Sequence, residues 1–98
     1  MSLPFIRQYP NGRRCLAEMT PLPEVERLGQ AFIASGGAYV CEIMPDGQAR
    51  VAACVQVDGK QVDIAEEFAP NGPELMGVVD RLVRASAKYS GPGVETIN

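Results

Sequence analysis

From residue 38 to residue 68 apolar and polar side chains alternate in three runs, "AYVCEIM", "ARVAACVQV" and "QVDIAEEF". A period of two is that of a half-buried strand, which predicts strands at about 38–44, 49–57 and 61–68. Asp58-Gly59 joins the last two as a two-residue type I′ loop. That loop sets Val57 opposite Lys60, Val55 opposite Val62 and Ala53 opposite Ile64. Pro45-Asp46-Gly47 suits a three-residue loop with glycine in the left-handed region, pairing Met44 with Gln48 and hence Cys41 with Val51. The two registers agree on the faces. Tyr39, Cys41, Ile43, Val51, Ala53, Val55, Val57, Val62 and Ile64 share one. Val40, Glu42, Arg50, Ala52, Cys54, Gln56, Asp63, Ala65 and Glu67 share the other. A one-residue slip would invert every side chain. On the second face Glu42, Arg50 and Glu67 are expected in one acid-base-acid row. Glu66 falls on the apolar side in this register, and a bulge or the end of the strand is needed to bring it to water.

Two stretches change period. In "TPLPEVERLGQAFIASGG", Leu22, Val25, Leu28 and Phe32 recur at helical spacing, with a proline at the start and Gly36-Gly37 as the stop. In "PNGPELMGVVDRLVRASAKY", Pro73 fits the first helical position after Gly72. Leu75, Val78, Val79, Leu82 and Ser86 form an inward stripe there, leaving Asp80, Arg81, Arg84 and Lys88 in water. The opening "FIRQYPNGRRCLAEM" reads as two short strands around a Pro-Asn-Gly turn. The order is therefore ββαβββα. The fold class is α+β, a two-layer sandwich in which an antiparallel sheet, an N-terminal hairpin plus a three-stranded meander, carries both helices on one face. One domain spans residues 1–89, and 90–98 ("SGPGVETIN" from Ser90) is expected to be a flexible tail.

At 98 residues, 46% hydrophobic and 21% charged, the chain has the makeup of one small globular domain. A core of this size is largely offset by chain entropy, which predicts marginal stability or support from self-association. No charged-then-apolar leader and no run long enough to span a membrane is seen. Three cysteines, Cys15, Cys41 and Cys54, show no paired spacing. A reducing cytoplasm fits these features best.

The chain contains no histidine, so the commonest general base and zinc ligand are missing. No glycine-rich loop lies between a strand and a helix, and Asp46 and Asp58 are single acids in tight turns. The reading is of no catalytic, cofactor-binding or metal-binding residue. Cys15 stands apart from the other thiols: a three-residue Pro-Asn-Gly loop sets it opposite Arg7, close to Arg13 and Arg14, and positive neighbours lower a thiol pKa.

Charge is uneven. Residues 1–19 carry three arginines against Glu18, and residues 38–72 carry six acids against Arg50 and Lys60. From residue 20 to 89 the order helix-strand-strand-strand-helix resembles that of double-stranded RNA-binding domains. Those domains open their second helix with lysines aimed at phosphates, whereas "PNGPELMG" has an acid and no lysine. The balance favours a protein partner, with the chain itself as a homodimer first among them. The expected interface is the small-residue patch Val40, Ala52, Cys54 and Ala65. The alternative is a weak nucleic-acid contact through Arg7, Arg13 and Arg14.

Overall fold

The computed structural model describes residues 2–70 and 72–94. Among them the order is β1 (Leu3–Gln8), β2 (Arg14–Met19), α1 (Pro23–Ala34), β3 (Ala38–Ile43), β4 (Gln48–Val57), β5 (Lys60–Pro70) and α2 (Leu75–Ala87). This is the α+β arrangement ββαβββα expected from the patterning. The strands form one sheet ordered β2-β1-β3-β4-β5. Neighbours are antiparallel except β1 and β3, which run parallel with Ile6 beside Val40 and Arg7 beside Cys41.

All three hairpin turns adopt the geometry their residues require. Asp58 and Gly59 both have positive φ, 52° and 77°, as a type I′ loop demands, and Val57 faces Lys60. Met44 N–H donates to the Gln48 carbonyl at 2.8 Å, and Cys41 faces Val51. Tyr9 closes on Arg13 in the same way, which sets Arg7 opposite Cys15. In the last Pro-Asn-Gly, Asn71 lies outside the described residues.

Two expectations are corrected. The register between β4 and β5 holds from the loop as far as Cys54–Asp63 and then slips, so that Ala53 faces Ala65 and Ile64 is left over as a bulge. Beyond it every side chain of β5 changes face. Glu67 is not opposite Arg50 but opposite Val51, where Arg81 of α2 donates to it at 2.8 Å. Phe68 takes the place opposite Arg50. The bulge also carries Glu66 off the apolar side.

The second correction concerns α1. Its buried stripe is Val25, Gly29 and Phe32, while Leu22 and Leu28 are exposed. Gly29 is the reason. A Cβ there would lie 2.5 Å from the Leu3 side chain, which is itself fully buried, so the helix seats by its bare backbone against β1. In α2 the stripe Leu75, Val78, Val79, Leu82 and Ser86 is buried as expected, joined by Val83, but the helix starts at Leu75 and not at Pro73.

The helices share one side of the sheet. Tyr39, buried on β3, stacks on Phe5 of β1 with ring centroids 5.0 Å apart. It also meets Phe32 of α1 at 5.2 Å, and its hydroxyl lies 2.7 Å from Ser86 Oγ of α2. Ser86 in turn donates to the Val83 carbonyl. From the segment read as a tail, Val94 packs against this core and Tyr89 donates to the Pro92 carbonyl; residues 95–98 lie outside the described residues.

Burial pushes the Tyr39 phenol up to about 12, against a smaller opposing pull from Ser86. A phenol whose pKa is raised on folding binds its proton more tightly in the folded chain. Stability is therefore intact below about pH 10 and lost as the pH climbs toward 12. Tyr39→Phe is expected to cost about 1 kcal/mol at pH 7, the net worth of the hydroxyl's hydrogen bond. Urea titrations between pH 7 and pH 12 should show the gap close and reverse, because only the tyrosine form loses stability on ionising, on the order of 2 kcal/mol.

Candidate interaction surface

The sheet face opposite the helices is uncovered among the described residues. Its composition follows from strand alternation once the hairpin is placed and the bulge is included. One row crosses the sheet as Leu16, Ile6, Val40, Ala52 and Glu66, and the next as Arg14, Gln8, Glu42, Arg50 and Phe68. The first row is apolar over four strands and ends in an acid.

Of the expected interface, Val40, Ala52 and Cys54 do lie on this face. Ala65 does not: the bulge turns it to the helix-bearing side opposite Ala53, where it packs against the core. Ala52 and Cys54 are 0% and 3% exposed, because small side chains in the middle of a sheet are shielded by longer neighbours. The accessible apolar surface is elsewhere. Leu16 is 72% exposed, Phe68 53% and Ile6 37%. Ile6 and Leu16 could be placed only by knowing that β1 joins the sheet beside β3, a parallel pairing that no local turn announces. Phe68 could be placed only by knowing the bulge.

At the β4–β5 end the face is charged. Arg50 Nε donates to Glu66 at 2.8 Å, its guanidinium also bonds Asp63, and Glu42 lies 3.8 Å away. Partial burial opposes the charge on Arg50, but Asp63 and Glu66 outweigh it and hold its pKa up. Three acids share one cation, which leaves this end of the face negative. Among the described residues no three His, Cys, Asp or Glu side chains are placed to hold a metal ion.

The three arginines of the hairpin do not form one patch. Arg7 alternates with Leu3 and Phe5 and so lies on the helix-bearing side, beside Cys41, whereas Arg14 lies on the open face opposite Gln8. Arg13 closes the turn and is exposed. Cys15 is exposed and pairs with Arg7, as expected. Burial pushes the Cys41 thiol up, with Arg7 pulling the other way. Burial likewise pushes up the Cys54 thiol, reinforced by Asp63, and Cys54 Sγ donates to the Ala38 carbonyl at 3.5 Å.

Concavities are shallow. A groove of about 400 Å³ separates the starts of the two helices, lined by Pro21, Leu22, Met76 and Asp80 among others. A smaller hollow of about 150 Å³ lies where the hairpin meets the start of β3 and the end of α1, lined by Pro4, Ile6, Leu16, Ile33 and Ala38 among others. No described helix is long and apolar enough to cross a membrane. No family model, curated protein or solved structure matches the chain.

Arg50→Met would leave Glu42, Asp63 and Glu66 facing one another without a cation. It is expected to cost about 1–2 kcal/mol at low ionic strength, the worth of charged hydrogen bonds at a partly exposed site. Denaturant titrations at low and high salt check this. The cost should shrink in high salt, since repulsion among exposed acids is screened.

Proposed function

We propose that this chain is a small non-catalytic domain that works by binding protein through the open face of its sheet, with a second copy of itself as partner. The observation that carries the reading is the apolar row Leu16–Ile6–Val40–Ala52, which crosses four strands with no covering layer among the described residues and holds two exposed large aliphatic side chains. Apolar surface gathered in one stripe and bordered by charge has the makeup of a contact surface, where scattered single side chains would carry no such meaning. The chemistry of the remaining groups points the same way. Glu42, Asp63 and Glu66 are drawn around Arg50, burial pushes the two buried thiols up, and the sequence holds no histidine.

Ile6 sits in the middle of the row, between Leu16 and Val40, and is exposed enough for a charge to be tolerated in the monomer. Light scattering over a range of protein concentration should show the mass rising from that of one chain toward that of two. Ile6→Glu is expected to move this transition to at least roughly tenfold higher concentration, since it sets a charge beside Leu16 in the apolar row that forms the contact. Its thermal midpoint should stay within a few degrees of the unsubstituted chain. A single-chain mass at every concentration contradicts the reading.

A further inference from the structure

The two edges of the sheet differ in how well they are guarded. β5 carries a bulge at Ile64, a lysine at its start and a proline at its end, all of which discourage pairing with another strand. β2 has none of these. Its six residues pair regularly with β1 from Arg14 to Met19, and among the described residues no strand pairs with its other side.

The backbone of β2 determines which residues could pair across that edge. Tyr9 N–H donates to the Arg13 carbonyl, and bonded and non-bonded pairs alternate along an antiparallel ladder. Cys15 and Ala17 therefore direct their backbone groups to β1, while Arg14, Leu16 and Glu18 turn N–H and C=O outward. An added antiparallel strand must bond to these three. When that strand is β2 of a second copy, one register uses all three on both chains. It sets Leu16 against the partner's Leu16 on the twofold axis, and Arg14 against the partner's Glu18, twice by symmetry.

Side chains agree with this register. Arg14, Leu16 and Glu18 all project on the open face. Glu18 accepts a hydrogen bond from Ser2, but among the described residues neither Arg14 nor Glu18 has an ion-pair partner in its own chain. Opposite charges directly across a strand pair stabilise it, and like charges oppose it. On the other side of the ribbon Cys15 meets the partner's Ala17, and both are small. Shifting the pairing by two residues either way puts Arg14 or Glu18 against leucine and loses both charge pairs.

From this self-complementary edge we infer that two copies join through β2, antiparallel and centred on Leu16, into one continuous sheet whose apolar rows meet at the axis. The inference rests on the reading above that a second copy is the partner, and it seats that copy beside the apolar row at the β2 edge and not over it.

Charge reversal tests it. Arg14→Glu alone and Glu18→Arg alone each set like charges across both symmetric pairs, and each should weaken the homodimer roughly tenfold or more. Mixed in equal amounts, the two variants should recover a dimer of one chain of each, seen by light scattering and by native mass spectrometry with one chain isotope-labelled. Ala17→Cys supplies an independent readout. With diamide as the thiol oxidant it should be captured as a covalent dimer through the partner's Cys15, whereas the unsubstituted chain should not. Dimers unaffected by the single reversals would overturn edge pairing while leaving a face-to-face assembly, and with it the broader reading, in place. Single reversals that weaken the dimer without rescue on mixing would overturn this register. A monomer under all conditions would overturn both.

Discussion

Tyr39 is the contact on which the arrangement depends. Its ring lies between Phe5 on β1 and Phe32 on α1, and its hydroxyl reaches Ser86 on α2, so one side chain on β3 touches three other elements. Large aromatic surfaces dominate a small core, and a buried phenol needs a partner for its hydroxyl. Placing all three contacts on one side of β3 puts both helices on that side. It also draws β1 next to β3, so that the hairpin's second strand becomes the edge of the sheet. Close seating is part of the same packing: a Cβ at Gly37 would lie 2.2 Å from the Phe32 ring.

What the core leaves open then follows. Among the described residues two helices are available to cover a five-stranded sheet, and both are committed to the Tyr39 side. The other face is managed in two ways. Toward β5 it is guarded by charge, with Arg50 held among Glu42, Asp63 and Glu66, and by the bulge at Ile64. Toward β2 the apolar row ends in Leu16, flanked by Arg14 and Glu18, and the edge is regular. The asymmetry is the physical basis for assigning the working surface to the β2 end. A protected edge and an unprotected edge on one sheet have different fates in solution.

Much of this was legible in the chain because turns dictate register. Asp58-Gly59, Pro45-Asp46-Gly47 and Pro10-Asn11-Gly12 each set their strand pairs correctly next to the loop, and with them the face on which Val40, Ala52 and Cys54 lie. Legibility ended where the deciding contact was remote. Ile64 and Ala65 are both apolar, so alternation does not reveal which of them is the extra residue, and it puts Ala65 and Glu67 on the wrong face as a result. The α1 stripe was misread because Gly29 looks like a defect in a helix until Leu3 is seen beneath it. The exposed aliphatic end of the open face, Ile6 and Leu16, depends on a parallel pairing between β1 and β3 that is separated by a whole helix. Helix and hairpin signals are local, but sheet order is not.

The central claim is that the outward backbone of β2 is occupied by a second copy of the chain. Amide hydrogen exchange followed by NMR over a dilution series addresses it without any substitution. The account predicts that the Leu16 N–H, which has no acceptor within its own sheet, is protected at high protein concentration and loses that protection on dilution, together with Arg14 and Glu18. The amides of Cys15 and Ala17, bonded to β1, should change far less. Fast exchange at Leu16 that is the same at every concentration would contradict the claim.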